Sequence, residues 1–98
     1  MGNNKQKYER RFEDKFELQW KRSVLKELRK LPKDTVGKLV DLAESLIANP
    51  YPDGCRKLTG TEHTYKVRAG NYRLVYQVHN GRLIIEVVKV GHRKEVYR

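Results

Sequence analysis

A chain of 98 residues, 38% hydrophobic and 35% charged, has room for one core and hence one domain. No apolar run approaches the ~18–20 residues of a membrane span, the N-terminus lacks a signal-peptide core, and a single cysteine, Cys55, excludes an internal disulfide or a multi-Cys zinc site. These readings make the cytoplasm the expected compartment; Lys and Arg number 22 against 12 Asp and Glu, a net charge of +10, so the expected partners are polyanions or acidic proteins.

Residues 1–14 are polar, basic and without apolar period, which predicts a flexible extension preceding one domain over residues 15–98. Residues 15–20 alternate, with Phe16, Leu18 and Trp20 on one face of a half-buried strand. Val24, Leu25, Leu28 and Leu31 then recur at helical spacing, with Ser23 as the expected cap and Pro32 as the stop. Asp34 is the expected N-cap of a second helix, whose stripe is Val36, Leu39, Val40, Ala43, Leu46 and Ile47. Asn49-Pro50-Tyr51-Pro52-Asp53-Gly54 breaks it. Strands follow over Tyr65–Ala69, Tyr72–His79 and Leu83–Val90, the last two joined through Asn80-Gly81, a type I′ turn signal. The order β-α-α-β-β-β predicts an α+β fold, a helical hairpin on one face of a mainly antiparallel sheet.

The basic excess is uneven: net +3 over residues 1–55 and +7 over 56–98. Period two sets Lys66 and Arg68 on one strand face and Tyr65, Val67 and Ala69 on the other. Arg73 and Gln77 oppose Leu74, Tyr76 and Val78 in the next strand. If the core takes the apolar sets, Lys66, Arg68 and Arg73 converge on the outer face. There they would attract an anion, although a solvated basic face accounts for the pattern equally well. His92 and Arg93 follow the last strand, and Tyr97 could stack on a base or pack the tail. Three histidines show no zinc-ligand spacing, so no metal or other cofactor is expected. Cys55, beside Arg56 and Lys57, reads as a bystander.

Several words recur in one order: Leu28-Arg29-Lys30-Leu31-Pro32; Asn49-Pro50-Tyr51-Pro52-Asp53-Gly54; Arg56-Lys57-Leu58-Thr59-Gly60; Tyr65-Lys66-Val67-Arg68-Ala69-Gly70-Asn71-Tyr72-Arg73-Leu74-Val75-Tyr76; and Val90-Gly91-His92-Arg93-Lys94-Glu95-Val96-Tyr97-Arg98. Together they resemble the RelE branch of the RelE/ParE toxin superfamily of toxin–antitoxin systems. The resemblance implies a RelE-like, microbial RNase-like fold and a metal-independent endoribonuclease, or mRNA interferase, that cuts mRNA in the ribosomal A site and so stops translation. It also implies four partners: a cognate antitoxin, the small ribosomal subunit with its rRNA, the message, and operator DNA for the toxin–antitoxin complex.

By the same resemblance Lys66 and Arg68 match the family's basic pair, and Arg73 matches its phosphate-holding arginine. Arg93 matches the residue acting at the leaving oxygen, and Tyr97 the base-stacking tyrosine. Lys94 joins the RNA-binding set, while His92 is carried as a catalytic candidate from other branches. Arg68 stands where the best-known members carry lysine. Arginine stays protonated, so the base role falls to Lys66. The tail ends at Arg98, short of the C-terminal helix of some members. Two other readings stand beside this one: a ParE-like toxin that binds DNA gyrase without cutting RNA, and a basic RNA-binding module without activity.

Overall fold

The computed structural model describes residues 16–92, so the expected 1–14 extension and the tail from residue 93 lie outside the described residues. Strand β1 (Glu17–Trp20) leads directly into helix α1 (Arg22–Leu28), and helix α2 (Lys33–Ser45) follows. Four strands follow among the described residues: β2 (Arg56–Lys57), β3 (Thr64–Ala69), β4 (Tyr72–His79) and β5 (Ile84–His92). They form one five-stranded sheet in the order β1-β5-β4-β3-β2, antiparallel except for the β1–β5 pair. This is the expected α+β architecture, with one short edge strand, β2, added.

The helices turn apolar side chains toward one face of the sheet, although Leu25, expected in the apolar stripe of α1, is exposed. Val24 of α1 and Leu39 and Ala43 of α2, followed by Leu46, meet Val67, Leu74, Tyr76, Val78, Ile85, Val87 and Val90 in one core cluster. Phe16, Leu18 and Trp20 flank it, as the alternation of β1 requires. Burying a side chain of this size contributes about 1.5–3 kcal/mol.

The helix starts differ from expectation. Ser23 does not cap α1, because the helix begins straight after β1: the Lys21 carbonyl accepts from the Val24 and Leu25 N–H groups at 2.9 and 3.2 Å. Likewise Pro32, not Asp34, holds the N-cap position of α2, its carbonyl accepting from Val36 N–H at 3.0 Å. Asp34 sits in the first turn, where its carboxylate faces the positive end of the helix dipole.

The β4–β5 connection also departs from the expected two-residue turn. Ile84 pairs with His79, so four residues, 80–83, close the loop, and Leu83 takes the left-handed conformation (φ 54°) instead of Gly81. By contrast Gly70-Asn71 joins β3 to β4 in two residues, Gly70 supplying the positive φ (63°) that a type II′ turn needs at its first position.

One irregularity governs the far end of β5. Val75 pairs with Lys89 while Tyr76 pairs with Val87, so Val88 is an extra residue in a β-bulge. Ile85 and Val87 point into the core; beyond the bulge Val90 does so, and Lys89 is turned outward.

Candidate functional site

Residues directly opposite one another in an antiparallel pair project from the same side of the sheet. Val67 and Leu74 are such a pair, and both are buried in the core cluster beneath the helices. Their neighbours Arg68 and Arg73 therefore form a pair on the outer face, as do Lys66 and Val75. The strand pairing thus brings Lys66, Arg68 and Arg73 together as expected. Arg68 is exposed, while Lys66 and Arg73 are half-buried and the Arg73 Nε is withdrawn from solvent.

Two cations that the sequence reading left out join them. Arg56 of β2 stands opposite Lys66, and Lys89 of β5 stands opposite Val75. Gly91, opposite Arg73, adds no side chain to that flank. The other end of the same face carries Gln19, Thr64, Gln77 and Glu86, so its positive charge is gathered at one end. The signal for Lys89 was masked by the bulge, since plain alternation after Ile85 and Val87 places it in the core. Arg56 lies on a strand of two residues, too short to show any period.

At the cationic end a cleft of about 500 Å³ is lined by Asp53, Gly54, Arg56, Val67, Arg68 and Arg73. Asp53 and Gly54 reach it from a loop pinned by aromatic residues. The Tyr76 hydroxyl donates to the Pro50 carbonyl at 2.6 Å. Tyr65 stacks on Tyr76 with ring centroids 5.9 Å apart, and Tyr51 meets Tyr65 edge-on at 5.1 Å. Asn49 Oδ1 accepts from Tyr51 N–H at 3.1 Å, and Cys55 N–H donates to the Pro52 carbonyl at 3.1 Å. Gly54 closes the turn at φ 88°, a conformation that disfavours any side chain. Burial, with a smaller effect from the adjacent Cys55 thiol, pushes the Tyr76 phenol well above its usual pKa, so it acts as a neutral donor.

Arg68 and Arg73 face each other across adjacent strands, where like charges repel. A phosphate between them replaces that repulsion with charge-assisted hydrogen bonds, and each planar guanidinium can bind it in bidentate fashion. The cleft is therefore suited to a phosphate-bearing ligand.

His92 departs from the expected cluster. It stands opposite Tyr72 and meets that ring edge-on at 5.8 Å. Tyr72 shares the strand face of Leu74 and Tyr76, so His92 lies on the helix side of the sheet. The bulge is the reason: with unbroken alternation, His92 would share the outer face with Arg73. Arg93, Lys94 and Tyr97 lie outside the described residues. The His63 and His79 rings are 6.5 Å apart, and among the described residues no group of three His, Cys, Asp or Glu side chains is placed to hold a metal ion.

Residues 18–97 match the family described as the ParE toxin of the type II toxin-antitoxin system, parDE. A Methanocaldococcus jannaschii chain described as toxin RelE1 is 33% identical over 87 residues, covering 86% of this chain and 97% of its own length. Among solved structures, the archaeal RelE–RelB complex from Pyrococcus horikoshii OT3 aligns with a TM-score of 0.72 at 27% identity, over 81% of this chain and 96% of that one. A double variant of the Escherichia coli toxin RelE in the free state aligns with a TM-score of 0.72 at 32% identity, over 85% of this chain and 90% of that one.

Proposed function

The chain belongs to the RelE/ParE family as a RelE-like toxin of a type II toxin–antitoxin system, and from that membership we propose that it is a ribosome-dependent endoribonuclease cutting mRNA in the ribosomal A site. The observation that supports this reading is the convergence of Lys66, Arg68 and Arg73 on one face, with Arg68 and Arg73 lining the cleft.

In this mechanism the ribose 2′-oxygen attacks the adjacent phosphorus. The O2′–P bond forms, the P–O5′ bond breaks, and the products are a 2′,3′-cyclic phosphate and a 5′-hydroxyl. Of the three basic side chains only Lys66 can serve as the base toward the 2′-hydroxyl, because guanidinium stays protonated. Arg68 and Arg73 stabilise the charge that builds on the phosphorane oxygens, the largest contribution in a site this cationic. Arg93 offsets the charge on the departing 5′-oxygen, which takes a proton from solvent to become the 5′-hydroxyl, and Tyr97 and Lys94 hold the neighbouring RNA. The ribosome positions the message for in-line attack. The protein acts in the cytoplasm, where messages are translated. A cognate antitoxin, the counterpart of RelB in the Pyrococcus complex, silences it by covering the cationic face, and the toxin–antitoxin complex binds operator DNA.

Purified protein added to translating ribosomes should yield fragments whose 5′-hydroxyl ends accept label from a kinase without prior dephosphorylation, while naked message stays intact. Fragments ending in 5′-phosphate, or equal cutting of naked message, would overturn this reading. The match to the ParE family favours a second reading, a gyrase-binding toxin, for which the same incubation leaves the message whole and DNA supercoiling is inhibited instead.

A further inference from the structure

Arg56 occupies a place in the site that the proposed chemistry does not use. It sits on the outermost strand, opposite Lys66, and so projects from the same face as Lys66, Arg68 and Arg73. It also lines the cleft with Arg68 and Arg73. Strands lie ~4.8 Å apart and rise ~3.4 Å per residue, so Arg56, two strands and two residues away from Arg73, has its Cα about 12 Å from that of Arg73. Both side chains are long and reach into one cleft. The Arg68–Arg73 pair has room to hold one phosphate, and Arg56 stands beyond that pair toward the sheet edge. The turn at Asp53-Gly54 bounds the cleft on that side, and Gly54 leaves its wall without a side chain.

We infer that Arg56 holds the RNA phosphate next to the scissile one and thereby sets the register of the message in the cleft. Arg56 is a positioning residue in this assignment: it touches the substrate backbone but not the reacting atoms. The inference rests on the RNase reading for its consequence in cleavage, but not for its consequence in binding. A charge-assisted contact to a phosphate is lost on truncation and largely kept by lysine.

The test uses the full chain in two measurements. In the first, a fluorescein-labelled single-stranded oligoribonucleotide is titrated by anisotropy at several salt concentrations. Arg56→Ala should weaken binding about tenfold and make the slope of log K against log salt shallower by about 0.7, one phosphate's worth. Arg56→Lys should recover most of the affinity and all of the slope. In the second, cleavage is followed on ribosomes programmed with a short message. Arg56→Ala should raise the half-saturating concentration about tenfold, with the rate at saturation within about threefold of wild type. Wild-type affinity and slope in a folded Arg56→Ala protein would overturn the inference. A collapse of the saturated rate would overturn it too, by placing Arg56 among the catalytic groups. If the wild type cuts nothing while Arg56→Ala still weakens RNA binding and flattens the slope, the RNase reading fails and the phosphate contact stands.

Discussion

Arg73 carries the largest share of the proposed chemistry and should carry little of the fold. It shares a strand with the buried Leu74, Tyr76 and Val78, yet projects from the opposite face, so truncation opens no cavity in the helix-covered core. Arg73→Ala should therefore lower the cleavage rate on programmed ribosomes by ~10²–10³-fold, with a melting temperature near that of wild type. Arg73→Lys should recover only part of the rate, because an ammonium lacks the planar fork. Tyr76 is the converse case: it supports the site from within the core. Its hydroxyl holds Pro50 in place, and burial keeps it un-ionised. Tyr76→Phe should cost about 0.5–1.5 kcal/mol at neutral pH through the lost hydrogen bond. Above pH ~10 the unfolded phenol ionises while the folded one does not, so wild-type stability falls as pH rises, and the phenylalanine variant should fall less steeply. Denaturant titrations of both proteins at pH 7 and in the alkaline range check the sign.

Among the elements, the bulge in β5 has the widest consequences. It places Lys89 outside and Val90 inside, two neighbours with opposite duties. Val90→Ala should destabilise the protein by about 1.5–3 kcal/mol. Lys89→Ala should change stability by less than about 0.5 kcal/mol and weaken RNA binding instead. Urea melts beside oligonucleotide titrations would separate the two, and the reverse pattern would place the bulge elsewhere. This feature also marks where the sequence was legible and where it was not. The stripe of α2 and the strand Tyr72–His79 could be read directly, because hydrophobic period is local and both elements are long. The outer-face grouping of Lys66, Arg68 and Arg73 followed from the same period. The positions of Lys89 and His92 could not be read, because one unpaired residue inverts the alternation without altering composition. Arg56 escaped for a different reason: a two-residue strand exists only through its pairing with β3. The Asn80-Gly81 signal named the right hairpin but the wrong turn, since a four-residue loop moves the left-handed position to Leu83. Pairing order and the parallel β1–β5 contact are non-local, and no window of the sequence contains them.

At the scale of the whole molecule, a chain of net charge +10 sets helices α1 and α2 on one face of the sheet and a block of cations at one end of the other. Cations gathered this closely repel one another, and an anion bound among them offsets that repulsion. An acidic partner relieves it, which suits a partly disordered antitoxin that folds as it docks. Under the proposed function, ribosome and message are the competing polyanions. The sheet thus has two unlike faces: helices cover the apolar core on one, and the cations to which the proposed chemistry is assigned gather on the other. The central claim is that the outer side of the sheet cuts RNA in the ribosome. Primer extension across a message translated in the presence of the purified wild-type protein measures this directly. New 5′ ends are expected inside the codon occupying the A site, absent when translation is blocked before initiation. An intact message under a dose of protein that arrests growth, with replication stalled instead, would contradict it.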